Sequence, residues 1–181
     1  MKKLFCLFAI VLFSLNVFSQ KVFTRNGHIS FFSEAPLENI EANNYQVTSI
    51  IDLEKKELVF SLLMKGFEFE KALMQEHFNE KYVESDQYPK STFTGSYTCN
   101  DKIDLKKDGL YQVNVTGSLE IHGVTKEVET TGTLEVKNGE VISNAVFVVA
   151  VADYNIKIPS VVKDNIAKEI EITVNATYKA M

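Results

Sequence analysis

Residues 111–136 read YQVNVTGSLEIHGVTKEVETTGTLEV, and this stretch decides the fold. Tyr111, Val113, Val115, Leu119 and Ile121 alternate with Gln112, Asn114, Thr116, Ser118 and Glu120. Beyond His122-Gly123 the alternation resumes, with Val124, Val128, Leu134 and Val136 set against Thr125, Glu127, Glu129, Thr131, Thr133 and Glu135. Successive side chains of a strand point to opposite faces, so period two means one buried face and one wet face. His122-Gly123 between two such runs reads as a tight hairpin, with glycine supplying the positive φ the turn demands. A long antiparallel ribbon is therefore predicted. Asn138-Gly139 repeats the signal and turns the ribbon into a further strand over 140–152.

The same reading extends outward in both directions. At the C-terminal end Ile170, Ile172, Val174, Ala176 and Tyr178 alternate with Glu169, Glu171, Thr173, Asn175 and Thr177. Earlier strands are predicted over 22–24, 29–33, 46–53, 57–64 and 92–99, the first two readable as one broken strand, with Lys55-Lys56 turning the third into the fourth. About nine strand segments imply an all-β fold, an antiparallel barrel of about eight strands. Closure is favoured over an open sheet because it removes the unpaired edges that apolar runs such as 145–151 would expose. Two segments depart from period two. Residues 36–42 read as a short helical turn, and 70–82 read as an amphipathic helix, expected to cap the barrel, with Leu73, Met74 and Phe78 sharing one face.

The N-terminus carries a different signal. Lys2 and Lys3 precede an apolar run from Leu4 to Phe13, and Val17 and Ser19 stand at the −3 and −1 positions of a cut between Ser19 and Gln20. This is the pattern of a signal peptide over 1–19, with a mature domain over 20–181 that is periplasmic or secreted. The apolar run is about half the ~20 residues that a membrane span requires, and no later run is longer, so no stable membrane span is expected. A lipoprotein signal would place a cysteine at the cut, whereas Cys6 lies within the apolar run.

Removing the leader takes away two lysines and no acid, leaving seventeen basic against twenty-four acidic side chains, a net charge of −7. That balance excludes the basic surface of a nucleic-acid-binding protein. Cys99 is then the sole cysteine, so the fold is not held by disulfides, and Cys99 reads as a buried strand residue more readily than as a reactive thiol. His28, His77 and His122 show no metal-ligand spacing, and no second cysteine completes a zinc site. No serine sits in a nucleophile elbow and no glycine-rich phosphate loop occurs. Asp153 beside Tyr154 reads as a turn residue. No catalytic residue, metal or cofactor is predicted, and the chain reads as a non-enzyme.

An eight-stranded barrel has room either for its own side chains or for one slender ligand, so inward aromatics do not by themselves distinguish the two. Further residues bear on this: Ile121-His122-Gly123-Val124-Thr125-Lys126; Gln75-Glu76-His77-Phe78 leading to Tyr88-Pro89-Lys90-Ser91-Thr92-Phe93; and Asp153-Tyr154-Asn155-Ile156 with Ile158-Pro159. Over nearly the whole mature chain, in order and spacing, these resemble the YceI-like family of exported polyisoprenoid-binding proteins. The resemblance implies a lipocalin-like barrel whose tunnel takes a long isoprenoid chain, in some members a polyprenyl or quinone-type lipid. Asn155 stands where that family commonly has glycine, and asparagine tolerates the left-handed backbone such a turn uses. The tryptophan expected near the start of many relatives is absent.

With that implication, the predicted lining is Phe60, Leu62, Met64, Phe67, Phe69, Leu73, Met74, Phe78, Phe93, Tyr111 and Phe147, with Tyr154 near one end. These combine inward parity, or the apolar helix face, with side chains large and adaptable enough to grip an isoprenoid. The expected partner is an apolar lipid, polyisoprenoid or similar, for a protein that is monomer or dimer. The alternative is a non-catalytic envelope stress or interaction module with a filled core.

Overall fold

The computed structural model describes residues 20–181, so the expected leader over 1–19 lies outside the described residues. Nine strands form in chain order: β1 (Lys21–Glu34), β2 (Asn39–Asp52), β3 (Glu57–Leu63), β4 (Glu68–Phe69), β5 (Lys90–Thr98), β6 (Gly109–Ile121), β7 (Val124–Lys137), β8 (Glu140–Ala150) and β9 (Glu169–Ala180). The ribbon predicted at 111–136 is present, with β6 and β7 paired antiparallel from Gly109↔Val136 to Ile121↔Val124. Its turn places both His122 and Gly123 at positive φ, 52° and 68°, and Asn138-Gly139 does the same at 52° and 81°. Two left-handed residues in succession give the turn whose twist matches that of the flanking strands.

Eight strands pair in the order β1-β9-β8-β7-β6-β5-β3-β2, and β1 pairs with β2 to close the cylinder. The two-residue β4 is attached to the outer part of β2 through Ala42↔Phe69. The broken reading of β1 has a structural cause. Its ladder with β2 shifts register between Thr24 and Gly27 and again between Gly27 and Ile29. An extra residue in a ladder reverses which parity faces inward. Val22 and Thr24 are buried before the irregularity, Gly27 and Ser33 after it, and in β2 Ala42 and Asn44 give way to Val47, Ser49 and Ile51.

Two expectations about irregular segments are corrected. Residues 36–42 are not helical: β2 already begins at Asn39, and Ile40 and Ala42 pair with Ser33 and Phe31 of β1. Cross-strand pairing overrides a local helical tendency where the alternative is an open barrel edge. The helix over 70–82 is shorter and wider than predicted, a six-residue helix α1 (Ala72–His77) followed without a break by a π-helical turn at Phe78–Tyr82.

The interior has two distinct ends. At one, Val22, Ile51, Tyr97, Val136, Val141 and Tyr178 are all at most 3% exposed. Ile103, from the connection between β5 and β6, is buried in this cluster, and Leu105 and the partly buried Cys99 pack against it. At the other end Met64, Phe67 and Val83 are buried together, with Phe31, Phe69 and Phe78 packed on them. Here the wall also parts. Pairing of β7 with β8 stops at Gly132↔Ala145, so residues 124–131 and 146–150 diverge. The 3-10 turn Val151–Tyr154 packs against β7 in the gap.

Candidate functional site

Between the closed end and the divergent end lies a cavity of about 410 Å³, walled almost wholly by carbon. That volume falls within the ordinary range of small-molecule sites, roughly 300–1,000 Å³. Its side walls are the inward faces of the strands, including Val113, Val115, Ile170, Ile172 and Val174. Its mouth is framed by Met74, Phe78 and Tyr82 of the helical segment and by Ile156, Ile158 and Ile166 of the connection before β9.

Phe60 and Phe93 meet across the adjacent strands β3 and β5 with ring centroids 6.5 Å apart, edge to face. Room for the Phe93 ring comes from a pair of opposed glycines, Gly95 and Gly117. A Cβ on Gly95 would come within 2.8 Å of Phe93 Cζ, and one on Gly117 within 2.7 Å. Nearer the mouth, Phe31 contacts Phe67, Phe69 and Phe78 at centroid separations of 5.3, 5.8 and 5.5 Å. Edge-to-face and offset rings at these distances form an adaptable apolar surface.

Ten of the twelve residues predicted from sequence line this cavity: Phe60, Leu62, Met64, Phe67, Phe69, Met74, Phe78, Phe93, Phe147 and Tyr154. Phe147 faces inward while Val146 and Val148 on the same strand are more than half exposed, so the inner face of β8 is the odd-numbered one. Two residues lie elsewhere. Leu73 is 60% exposed, because α1 and the π-helical turn after it present Met74 and Phe78 to the barrel and leave Leu73 in solvent. Tyr111 faces inward but packs with the closed-end cluster, its ring beside Gly109. Parity sets the face of a strand residue and is silent on its height in the barrel.

Sequence reasoning missed Phe31, the residue at the centre of the mouth aromatics. The signal that finds it is the β1 register shift, which turns an ambiguous Phe31-Phe32 pair into one inward and one outward ring.

The carboxylate that borders the cavity, Glu38, is paired. Lys71 Nζ lies 2.6 Å from Glu38 Oε1 at the mouth, and the hydrogen bond and charge of Glu38 raise the lysine above its ordinary pKa. Burial raises Tyr82 and Tyr154, the latter also feeling Asp153, and pushes Tyr97 up to about 12. All three therefore remain protonated at neutral pH. His122 holds the divergent end together: Nδ1 lies 3.0 Å from the Tyr154 carbonyl oxygen, Nε2 lies 2.8 Å from Glu84 Oε2, and Tyr88 packs edge-on at 4.5 Å. Asn155, at φ 58°, makes the left-handed turn that follows. Among the described residues no cluster of three or more His, Cys, Asp or Glu side chains has metal-binding geometry. No described helix is long and apolar enough to cross a membrane.

Comparison with known proteins agrees with this architecture. The family model described as the YceI-like domain matches residues 20–178. Among solved structures, the chain is similar to a polyisoprenoid-binding domain from Saccharophagus degradans implicated in plant cell wall breakdown, with TM-score 0.75 and 13% identity over 90% of this chain and 99% of that one. BcnA from Burkholderia cenocepacia gives TM-score 0.68 and 16% identity over 84% and 95%. A YCEI protein from Campylobacter jejuni gives TM-score 0.58 and 18% identity over 80% and 88%. No curated protein sequence matches.

Proposed function

The chain belongs to the YceI-like family, and from that premise we propose that it is an exported, non-catalytic carrier that holds one apolar lipid, of polyisoprenoid or isoprenoid-quinone type, inside its barrel. The observation that carries this reading is the cavity of about 410 Å³ with apolar walls. Sheltering a hydrocarbon chain requires no reaction chemistry, only the exclusion of water. Each methylene moved from water into such a cavity contributes about 0.8 kcal/mol, so several isoprene units bind without any strong polar contact. The polyisoprenoid binding of the Saccharophagus degradans domain, which shares this fold, supports the ligand class. The same cavity argues against the alternative of a filled-core interaction module.

The cell biology follows from the expected leader. A signal peptide cut between Ser19 and Gln20 would deliver the barrel to the periplasm or the medium, where a hydrocarbon chain crossing water needs a shield. Native mass spectrometry of the protein recovered from the envelope fraction tests both parts at once. The expected species begins at Gln20 and carries an added mass that organic extraction releases as a prenyl lipid. Recovery of the protein beginning at Met1 would overturn export, and recovery of a barrel without added lipid, even after exposure to prenyl lipids, would overturn the carrier.

A further inference from the structure

We propose that the chamber selects by chain length, taking a prenyl lipid of about four isoprene units whose whole hydrocarbon lies inside while its polar end stays at the mouth. This deepens the carrier reading and rests on it. An extended isoprene unit advances by four carbon–carbon bonds, about 5 Å, and at the packing density of a protein interior its five carbons fill about 100 Å³. The cavity of about 410 Å³ therefore holds about four units.

The depth of the cavity gives the same answer independently. Its lining runs six residue steps on β7, from Val128 to Leu134, six on β8, from Ser143 to Val149, and eight on β6, from Val113 to Ile121. Such spans cover about 20–26 Å of strand, or about 15–20 Å along the axis of a barrel whose strands tilt by roughly 40°. With the rim of Met74, Phe78 and Ile158 the depth is about 20 Å, the length of about four extended units. Volume over depth is then about 20 Å², the section of one hydrocarbon strand, so a single chain runs through without doubling back. The floor fixes this length. Val136, Val141 and Tyr178 lie beneath the cavity, at most 1% exposed. Tyr178 is clamped across the barrel, donating to Ser49 on β2 at 3.0 Å and accepting from Ser143 on β8 at 3.4 Å. Higher up, Phe93 Cζ lies against Gly95 and Gly117, which seat its ring on the wall. Glu38 and His77 border the mouth, whereas the deeper wall is carbon. A polar end therefore stays at the mouth, and the surplus units of any longer chain stand there in water.

The test presents the purified protein with phosphatidylcholine vesicles holding equal amounts of all-trans prenols of two to nine isoprene units. After separation, mass spectrometry compares the prenols carried by the protein with those left in the vesicles. Moving a unit from bilayer to chamber exchanges one apolar surrounding for another, whereas a unit left outside meets water, so the protein-to-vesicle ratio reads the length of the chamber. The ratio should peak at four units and fall at least tenfold by six. Val115→Phe and Ala145→Leu each fill part of the cavity from its wall and should move the peak to three units. Val146→Phe, on the outer face of β8, should leave it at four. A ratio that stays level from four units to nine, or a peak that a folded Val115→Phe or Ala145→Leu protein leaves in place, would overturn the length selection while leaving the carrier intact. The wild-type series decides by itself where a filled variant does not fold. Transfer of no prenol of any length would overturn the carrier reading itself.

Discussion

The closed end and the mouth of this barrel are made by the same strands with the same alternation, yet one end is a packed core and the other a chamber. At the closed end medium-sized Val and Ile side chains meet two tyrosines, all excluded from solvent. At the mouth the strands diverge beyond Gly132↔Ala145, and the interior is faced with phenylalanines that pack on one another around open space. Alternation makes an inside, and what the inside becomes depends on whether the strands stay together. Where they converge the side chains fill the barrel, and where they part a cavity remains that larger rings line without filling.

A charge placed on the wall should break the contrast most severely. Met64 is 5% exposed within the mouth cluster, so Met64→Glu buries an unpaired carboxylate and should abolish lipid retention with a stability loss of several kcal/mol. Val146→Glu, on the exposed outer face of β8, should leave both unchanged. Denaturant unfolding and lipid extraction of the pair read the outcome, and equal effects would mean the inner and outer faces are misassigned. A matched truncation sharpens the comparison. Ile51 is 1% exposed in the closed-end core, and Ile51→Ala should cost about 2–5 kcal/mol. Ile172 borders the cavity and has fewer partners to lose, so Ile172→Ala should cost less, at or below the lower end of that range of about 2–5 kcal/mol. Similar losses at the two sites would indicate that the mouth is as filled as the closed end.

Smaller effects test the polar parts of the closed end. Tyr178→Phe removes the link between Ser143 and Ser49 and should cost about 1 kcal/mol without altering lipid retention. Asp52, at the β2–β3 turn, is held below its ordinary pKa of 3.8 chiefly by the Lys55 N–H, against the opposing effect of burial, and further by the Glu54 N–H and the charge of Lys21. A lowered carboxyl pKa stabilises the fold above the unfolded value and loses that contribution as pH falls through the folded value. The stability difference between wild type and Asp52→Asn should therefore be present at pH 6 and shrink as the pH falls below the ordinary value of 3.8. Denaturation curves across that range check it, and a difference that grows with acid would contradict the sign.

Much of this architecture is legible in the sequence, and what is not has identifiable causes. The faces of β6, β7 and β9 can be read residue by residue because their outer positions are polar and the ladders that join β6 to β7 and β8 to β9 have no bulge. In β1 and β2 the reading fragments, since paired register shifts reverse the inward parity midway and conceal Phe31. Tyr111 has the predicted face but the wrong height, a coordinate that alternation does not encode. Leu73 depends on the rotation of a six-residue helix that widens into a π-turn, where an ideal helical period no longer sorts inner from outer side chains.

The most direct test of the central claim, that the mouth half of the barrel is a chamber for a hydrocarbon chain, is a crystal structure of the protein as isolated from its native envelope. The account predicts continuous elongated density between Phe60, Phe93 and the Phe31 cluster, with the surrounding rings placed as they are here. Rings collapsed into that space, or ordered water filling it, would contradict the account.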